Sequence, residues 1–435
     1  MKKLKSIEQV VQSGLCIGCG LCAVVAPEAW KLDTEGPMPL PIRIGDDAGR
    51  GISVCPAVHG TRTLSAESAA TFPDLDQITR MGPIRTALVG HSLTSQRSLS
   101  SSGGMLTEYL SEILDSGLVD AVIHVAPKAG GGFEYVKSKS SEEVRASCKT
   151  RYFPVDLHKL AEFVADESKV AIVANPCFTA AVRRLSQSSP ESFGAIQHFV
   201  SFFCGHWKSK SWTEYLVACS KPSKGELIDY RTKIADRPAS KYGYQVEVNQ
   251  QVETSLMSDV PNGGWQFGLF KPLLCDFCDD VGAEMADVVF GDAWLKPESE
   301  DALGTSVVLV RSATALASLQ SASAKGNVAF TELPIKRLLE SQNATLRHRQ
   351  DGIAARIAIR KIGRKFVPPV RVKPSLTPTR TNLVSLARYR LAKRSNIVWG
   401  ESREVADSVS HFNKRLKFDY LLIRLASKIP TRRKI

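Results

Sequence analysis

No stretch of this 435-residue chain approaches the ~18 consecutive apolar residues that a membrane-crossing helix needs. The opening "MKKLKSIEQVVQSGLC" has a basic start but no apolar core or small-residue cleavage site behind it. The expectation is a cytoplasmic protein. There is also no Gly-rich dinucleotide fingerprint after the first apolar strand and no phosphate loop, so neither a Rossmann nicotinamide site nor nucleotide hydrolysis is supported. An internal repeat of fixed period is missing too, which excludes solenoids and propellers. Acidic residues are scarce at one end only. Residues 331–435 hold 25 Lys/Arg against 7 Asp/Glu, whereas the rest holds 32 against 37, so a mildly acidic body carries a basic tail.

What the chain does have is apolar content and cysteine. At 43% hydrophobic residues it is long enough for two or three domains of about 100–200 residues each, with a core that needs no disulfide staples. Ten cysteines in such a chain read as metal ligands or reduced core residues, because the cytosol keeps thiols reduced. From "IRTALVGHS" at 84–92 onward, short apolar runs alternate with helical stretches. "MLTEYLSEILDSG" reads as a helix closed by Gly117, and "VDAVIHVAP" as a strand. "DLHKLAEFVADES" is a helix, "KVAIVANPC" a strand, "FTAAVRRLSQS" a helix and "IQHFVSFFC" a strand. Strands of this kind imply a sheet covered on both faces, hence an α/β fold, with α+β as the other possibility. Further on, "KYGYQVEVNQQVET" reads as a strand pair, "GTSVVLVRS" as a strand and "ATALASLQSASAKG" as a helix. Basic helices follow, broken by the Pro-rich "KFVPPVRVKPSLTPTRT". The expected units are a small cluster-binding module at 1–65, an α/β domain at 80–215, a further domain at 216–330 that carries the CxxC and "GDAW" stretches, and a basic helical extension at 331–435.

The cysteines fall into groups. Cys16, Cys19 and Cys22 recur every third position, and a fourth is followed by proline at Cys55-Pro56. Two-residue gaps bring successive sulfurs to a common centre, and Gly18 and Gly20 let the loop wrap tightly. The first three members match the bacterial ferredoxin run, with the fourth ligand displaced by a loop, and so point to a 4Fe-4S cluster. A four-cysteine zinc site is the alternative, although such sites usually come as separated pairs. Cys275 and Cys278 form an isolated CxxC, while Cys177 and Cys204 end two expected strands. Strand ends of one sheet face a common edge, so these four could converge on a second cluster. The competing reading is two buried core cysteines beside a zinc or free thiol pair. Cys148 and Cys219 have no such setting and read as ordinary reduced residues.

Taken together, "CIGCGLC" with "CP" at 55, "RSLSSSGGMLTEYLSEILDSGLVDAVIHV", "KVAIVANPC", "FFCGH" and "CDFCDDVGAEMADVVFGDAW" resemble the coenzyme F420 hydrogenase/dehydrogenase beta subunit family. These are iron-sulfur flavoproteins that include reductases of chlorophyll intermediates. The resemblance covers roughly residues 10–310. It implies one or two 4Fe-4S clusters beside FAD in a mixed α/β core, and electron transfer between a carrier such as ferredoxin or F420 and an organic substrate. By position, Cys16, Cys19, Cys22 and Cys55 match the N-terminal cluster, and Cys177, Cys204, Cys275 and Cys278 match the second cluster of some members. Ser101, Ser102, Gly103 and Gly104 would line the flavin or substrate pocket, with a helix cap at Ser102 as the other reading. Lys149, Arg151 and Tyr152 sit where relatives carry a Lys and a Tyr near the cofactor, although a solvated loop would look the same. Asp292 and Trp294 are further contact candidates, or simply a strand-end turn with a buried Trp. Asn175 lies where relatives commonly read Gly-Thr-Pro-Cys-Gln, and the order Cys204, Gly205, His206 replaces their Cys-His-Gly.

The tail lies outside this resemblance. "FDYLLIRLASKI" places Phe418, Leu421, Leu422, Leu425 and Ile429 on one helical face, which suits an anionic membrane surface or, equally, packing on the protein itself or on a partner. A basic patch without a recognisable binding module supports no specific nucleic-acid binding. The expected activity is an iron-sulfur flavoprotein oxidoreductase, its substrate an organic small molecule or a glycan-linked one by analogy with family members in surface-polysaccharide synthesis. The alternatives are an electron-input subunit of a larger redox complex and a zinc-stabilised binding protein on the same fold.

Overall fold

In the computed structural model, residues 3–221 and 223–430 are described, so the final "TRRKI" of the basic extension lies outside them. The centre is an eight-stranded mixed sheet. Its strands, in chain order, are β1 (Thr86–Ser92), β2 (Ala121–Pro127), β3 (Phe133–Ser138), β4 (Val170–Val173), β5 (Ile196–Phe202), β6 (Val288–Asp292), β7 (Ser306–Val310) and β8 (Val328–Glu332). Across the sheet the order is β8-β1-β7-β6-β5-β4-β2-β3. The inner strands β2, β4, β5 and β6 are mutually parallel, and every other pairing is antiparallel.

Alternate residues of each inner strand feed different cores, as expected for a sheet covered on both faces. Val122, Ala171, Val173 and Val200 pack under α1 (Met105–Asp115), whereas Ile123, Ile172 and Phe199 pack under α2 (Pro176–Ser188) and α3 (Lys210–Cys219). On the other side of β6 and β7, Val289, Val307 and Leu309 form a third cluster. The sheet also receives α4 (Ala313–Ala324), which joins the α1 layer. Strands from 86–202 and from 288–332 therefore share one sheet. Between them, Glu226–Thr232, Gly243–Val248 and Gln251–Leu256 form a separate antiparallel sheet.

Most expected elements are present, with differences at some of their ends and at strands the pattern did not mark. The helix expected at 156–168 is regular only over Leu160–Val164. The strand expected at 169–177 stops at Val173, because Pro176 is fitted to the first position of a helix and starts α2, leaving Cys177 in its first turn. Strand β3 and the strand Glu226–Thr232 have no counterpart among the expected elements, and neither does the edge strand β8. It is short, and its outer residues are half-buried or exposed, so no periodic pattern marks it.

The extension builds α5 (Ile353–Ile362), then the Pro-rich segment, α6 (Arg380–Ser402), α7 (Ser408–Arg415) and α8 (Lys417–Lys428). The Thr379 hydroxyl caps α6 by accepting from Asn382 N at 3.2 Å. The buried face of α8 is rotated from the one expected: Asp419, Tyr420, Ile423 and Ala426 face inward. Arg390 and Arg394 each donate to the Asp419 carboxylate at 2.7 Å. Phe418, Leu421 and Leu425 remain exposed, at 57%, 47% and 52%. Among the described residues no helix is long and apolar enough to cross a membrane.

Candidate functional site

The first cysteine quartet is built almost entirely from local chain geometry. Gly18 and Gly20 take left-handed conformations that other residues rarely adopt, and a Cβ on Gly18 would meet the Pro39 carbonyl at 2.6 Å. Gly20 starts the short helix that carries Cys22, and Cys55 precedes the helix begun by Pro56. Leu157 N donates to Cys19 O at 2.9 Å, tying the loop to the central domain. Cys16, Cys19, Cys22 and Cys55 together border a cavity of 20 Å³ whose lining carries no charged side chain.

The second quartet is assembled across the fold. Cys177 comes from the first turn of α2, Cys204 from just beyond β5, and Cys275 and Cys278 from the turn at Leu273–Phe277 and the residue after it. All four border a cavity of 40 Å³. Trp207 N donates to Cys275 Sγ at 3.4 Å. The fully buried Arg349 donates to Cys278 O at 2.9 Å, Gly205 O at 3.0 Å, Cys204 O at 3.2 Å and Cys204 Sγ at 3.7 Å.

Both quartets consist of soft sulfur donors around a space larger than the ~10–15 Å³ that one water occupies. Among the described residues no group of three or more His, Cys, Asp or Glu side chains is spaced to hold a single metal ion. Four thiolates are the donor set of a multi-iron group and also of a tetrahedral zinc ion. Burial raises all eight thiols above their usual range. Cys22, Cys55 and Cys278 are pushed up to about 12, and Cys204 to about 11, where Arg349 works against the rise. In the protein alone the thiols are therefore held protonated, and a bound cationic metal would supply the charge that releases those protons.

Beside the second quartet, at the C-terminal ends of the parallel strands, lies a larger cavity of 310 Å³. That is within the usual range for small-ligand sites and at the usual edge of such a sheet. Ser101, Ser102, Gly104, Lys149, Tyr152, Asn175, Asp292 and Trp294 all border it. Gly103 instead presses on β7, where a Cβ would meet Ser306 N at 2.7 Å. Ser102 does not cap α1: the capping position is Gly104, in a left-handed conformation, while the Ser102 hydroxyl donates to Thr305 O at 3.2 Å. The Ser101 hydroxyl accepts from Thr150 N at 3.0 Å. Lys149 is not a free cation, since its ammonium pairs with Asp229 at 2.7 Å. Asp292 is ion-paired with Arg231, and Trp294 is 42% exposed rather than buried. The Tyr152 ring lies 4.2 Å from that of Trp265, on which His206 also stacks at 4.5 Å.

Sequence reasoning missed Arg231 and Trp265, which stand in stretches without a motif, and Trp207, which directly follows "FFCGH". Cys148, read as an unremarkable thiol, also borders the large cavity. The lining holds buried polar nitrogens with no partner: Arg151 Nε and Nη1, Asn175 Nδ2, His206 Nε2, Trp207 Nε1, and Arg231 Nε and Nη2. Buried donors are nearly always satisfied, so this concentration calls for acceptor atoms in the cavity, from water or from a ligand.

The three cavities share walls. Ile17 and Pro56, from the N-terminal module, border both the first and the second. Asn175, Cys204 and Trp207 border both the second and the largest. The two thiol sets and the ligand cavity are thus arranged in series.

Family models match most of this framework. The coenzyme F420 hydrogenase/dehydrogenase beta subunit N-terminus matches residues 87–162, and the C terminus of the same subunit matches residues 167–336. A coenzyme F420-dependent sulfite reductase from Methanocaldococcus jannaschii is 23% identical over 309 residues, which is 66% of this chain but only 43% of that protein. A chain in a structure of the F420-reducing [NiFe] hydrogenase complex from Methanosarcina barkeri superposes with a TM-score of 0.51. That likeness covers 67% of this chain and 98% of the other at 18% identity, and speaks to the fold. With both halves matched in order, the chain belongs to the coenzyme F420 hydrogenase/dehydrogenase beta subunit family.

Proposed function

We propose that this chain is an iron-sulfur flavoprotein oxidoreductase, taking electrons from a carrier such as ferredoxin or reduced F420 and delivering them to an organic substrate. The observation that carries the reading is the series of cavities with shared walls, from the Cys16 quartet through the Cys177 quartet to the donor-rich cavity. Bound clusters would supply one-electron steps, and bound FAD would supply the conversion to two-electron chemistry. Cys16, Cys19, Cys22 and Cys55 would hold one 4Fe-4S cluster, and Cys177, Cys204, Cys275 and Cys278 the other. Around the flavin, Arg151, Arg231 and Asn175 would donate to its oxygens, while the packed rings of Tyr152, Trp265 and His206 offer aromatic surface. Burial keeps His206 neutral at physiological pH.

Anaerobically purified protein is expected to hold about eight irons, matching sulfide and one flavin per chain. Zinc without flavin would sink this reading in favour of a binding protein. A second reading, an electron-input subunit without its own substrate, gains support from the structural relative, which is part of a hydrogenase complex. An isolated chain that reduces artificial acceptors but no metabolite would favour it.

The same proposal extends to peripheral membrane contact through α8. Phe418, Leu421 and Leu425 are exposed side by side, and Lys417, Arg424 and Lys428 flank them in solvent. Near an anionic surface each basic residue contributes about 1 kcal/mol. The protein is expected to sediment with phosphatidylserine-containing vesicles but not with neutral ones, and Arg424→Gln with Lys428→Gln should weaken this on the order of tenfold or more. Equal sedimentation with both vesicle types would argue against it.

A further inference from the structure

We infer that Arg349 makes the second cysteine quartet the more easily reduced of the two, so that electrons entering at the N-terminal quartet run downhill toward the large cavity. This rests on the two-cluster reading above. The guanidinium is 2% exposed and stays protonated at any physiological pH. Its hydrogen bonds go to three backbone carbonyls and the Cys204 sulfur, and among the described residues no carboxylate is ion-paired with it. A buried cation is costly unless opposite charge stands nearby. The four cysteines beside it supply that charge once they are thiolates bound to iron.

The placement is over-determined. Arg349 sits in a wide helical turn, Arg347–Asp351, of the C-terminal extension. Next to it the Gln350 amide donates to Asp279 O at 3.0 Å and to Arg80 O at 2.8 Å, and Arg356 donates to His348 O at 3.0 Å. The first of these contacts fastens the turn to the segment that follows Cys278, and the second ties it to the loop at Arg80. The residue lies beyond the family match, which ends at 336, so this chain's own extension delivers it.

The two quartets differ sharply in charge. No ionisable group other than the cysteines lines the first cavity, whereas Arg349, Arg184 and Asp280 line the second. Arg184 is already paired with Glu67 at 2.6 Å. Asp280 opposes the effect, but Arg371 and Arg311 act on it more strongly than Arg349 does. The buried Lys208 and Lys271 also act on Cys275, the latter paired with Asp276 at 2.5 Å, and Arg349 is the cation that donates directly to a sulfur of the set. Each electron added to a thiolate-held cluster adds one negative charge, and a buried positive charge and an N–H donor to sulfur both favour that reduced state. In the transfer one electron leaves the group at the first quartet, which is oxidised, and reduces the group at the second. No bond or proton changes place, and the electron comes from a one-electron carrier, or from dithionite in the test.

The test is a redox titration of the anaerobic holoprotein followed by electron paramagnetic resonance, in wild type, Arg349→Met and Arg349→Lys. Two one-electron steps are expected in the wild type. In Arg349→Met the upper one should fall by at least a tenfold change in equilibrium constant, about 59 mV for one electron. The lower step should stay in place, and Arg349→Lys, which keeps the charge, should lie nearer the wild type. If Arg349→Met loses iron, the comparison of Arg349→Lys with wild type still carries the test, because loss of the guanidinium's donors should lower the upper step alone. An unmoved upper step in iron-replete variants, or movement of the lower step, would overturn the role of Arg349. About four irons in the wild type would overturn the two-cluster reading itself.

Discussion

Asp287→Ala is expected to cost the fold about 3–5 kcal/mol, because it strands a buried cation. The Asp287 carboxylate accepts from Arg183 Nη2 and from Phe199 N, both at 2.7 Å, and both side chains are nearly excluded from water. Arg183 also donates to Met285 O at 2.7 Å, and its guanidinium lies 3.9 Å over the Phe199 ring. The pair therefore bolts α2, which carries Cys177, to the start of β6 and the middle of β5. Removing the acid leaves the guanidinium with one carbonyl and a ring face in a dry interior. Replacing both partners, as in Arg183→Met with Asp287→Ala, should recover much of the loss, since neither charge then has to be desolvated. Denaturant midpoints of the three variants decide the matter. A loss below about 1 kcal/mol in the single variant would mean that water reaches the pair.

On the two-cluster reading, Cys278→Ala should reduce the iron content from about eight to about four per chain and leave the N-terminal signal intact. Cys22→Ala should do the reverse. The two quartets draw on different parts of the chain, one a local loop and the other three separated segments, so their losses should be independent. Iron analysis with spectra of the reduced protein reads both outcomes at once. Unchanged iron in either variant would remove that cysteine from the ligand set.

The two halves of the site differ in how far they can be read from the letters alone. The first quartet is legible because three of its cysteines are sequence neighbours, the fourth is marked by Cys55-Pro56, and its glycines announce the left-handed turns at positions 18 and 20. The second is legible only through topology: Cys177 and Cys204 follow strands β4 and β5, whose parallel pairing points both toward one edge. Arg349 and Arg231 give no signal at all, because an arginine's burial is decided by distant carbonyls and carboxylates rather than by its own neighbours. In α8 the helical pattern was legible but its orientation was not. The helix has two apolar stripes, Tyr420 with Ile423 and Phe418 with Leu421 and Leu425, and the ion pairs of Asp419 with Arg390 and Arg394 decide which one turns inward.

The neighbours of β1 in the sheet are β7 and β8, both drawn from residues 306–332. During synthesis this strand must wait, with both edges unpaired, until nearly three-quarters of the chain has left the ribosome. Such long-range pairing slows folding and leaves partly formed chains prone to association. At the Cys177 quartet the last thiol, Cys278, emerges before the strands that pair with β1, and only Arg349 follows them. On the two-cluster reading, the second quartet therefore waits for residue 278 and its arginine for residue 349, whereas the N-terminal loop has all four thiols in hand within its first 55 residues.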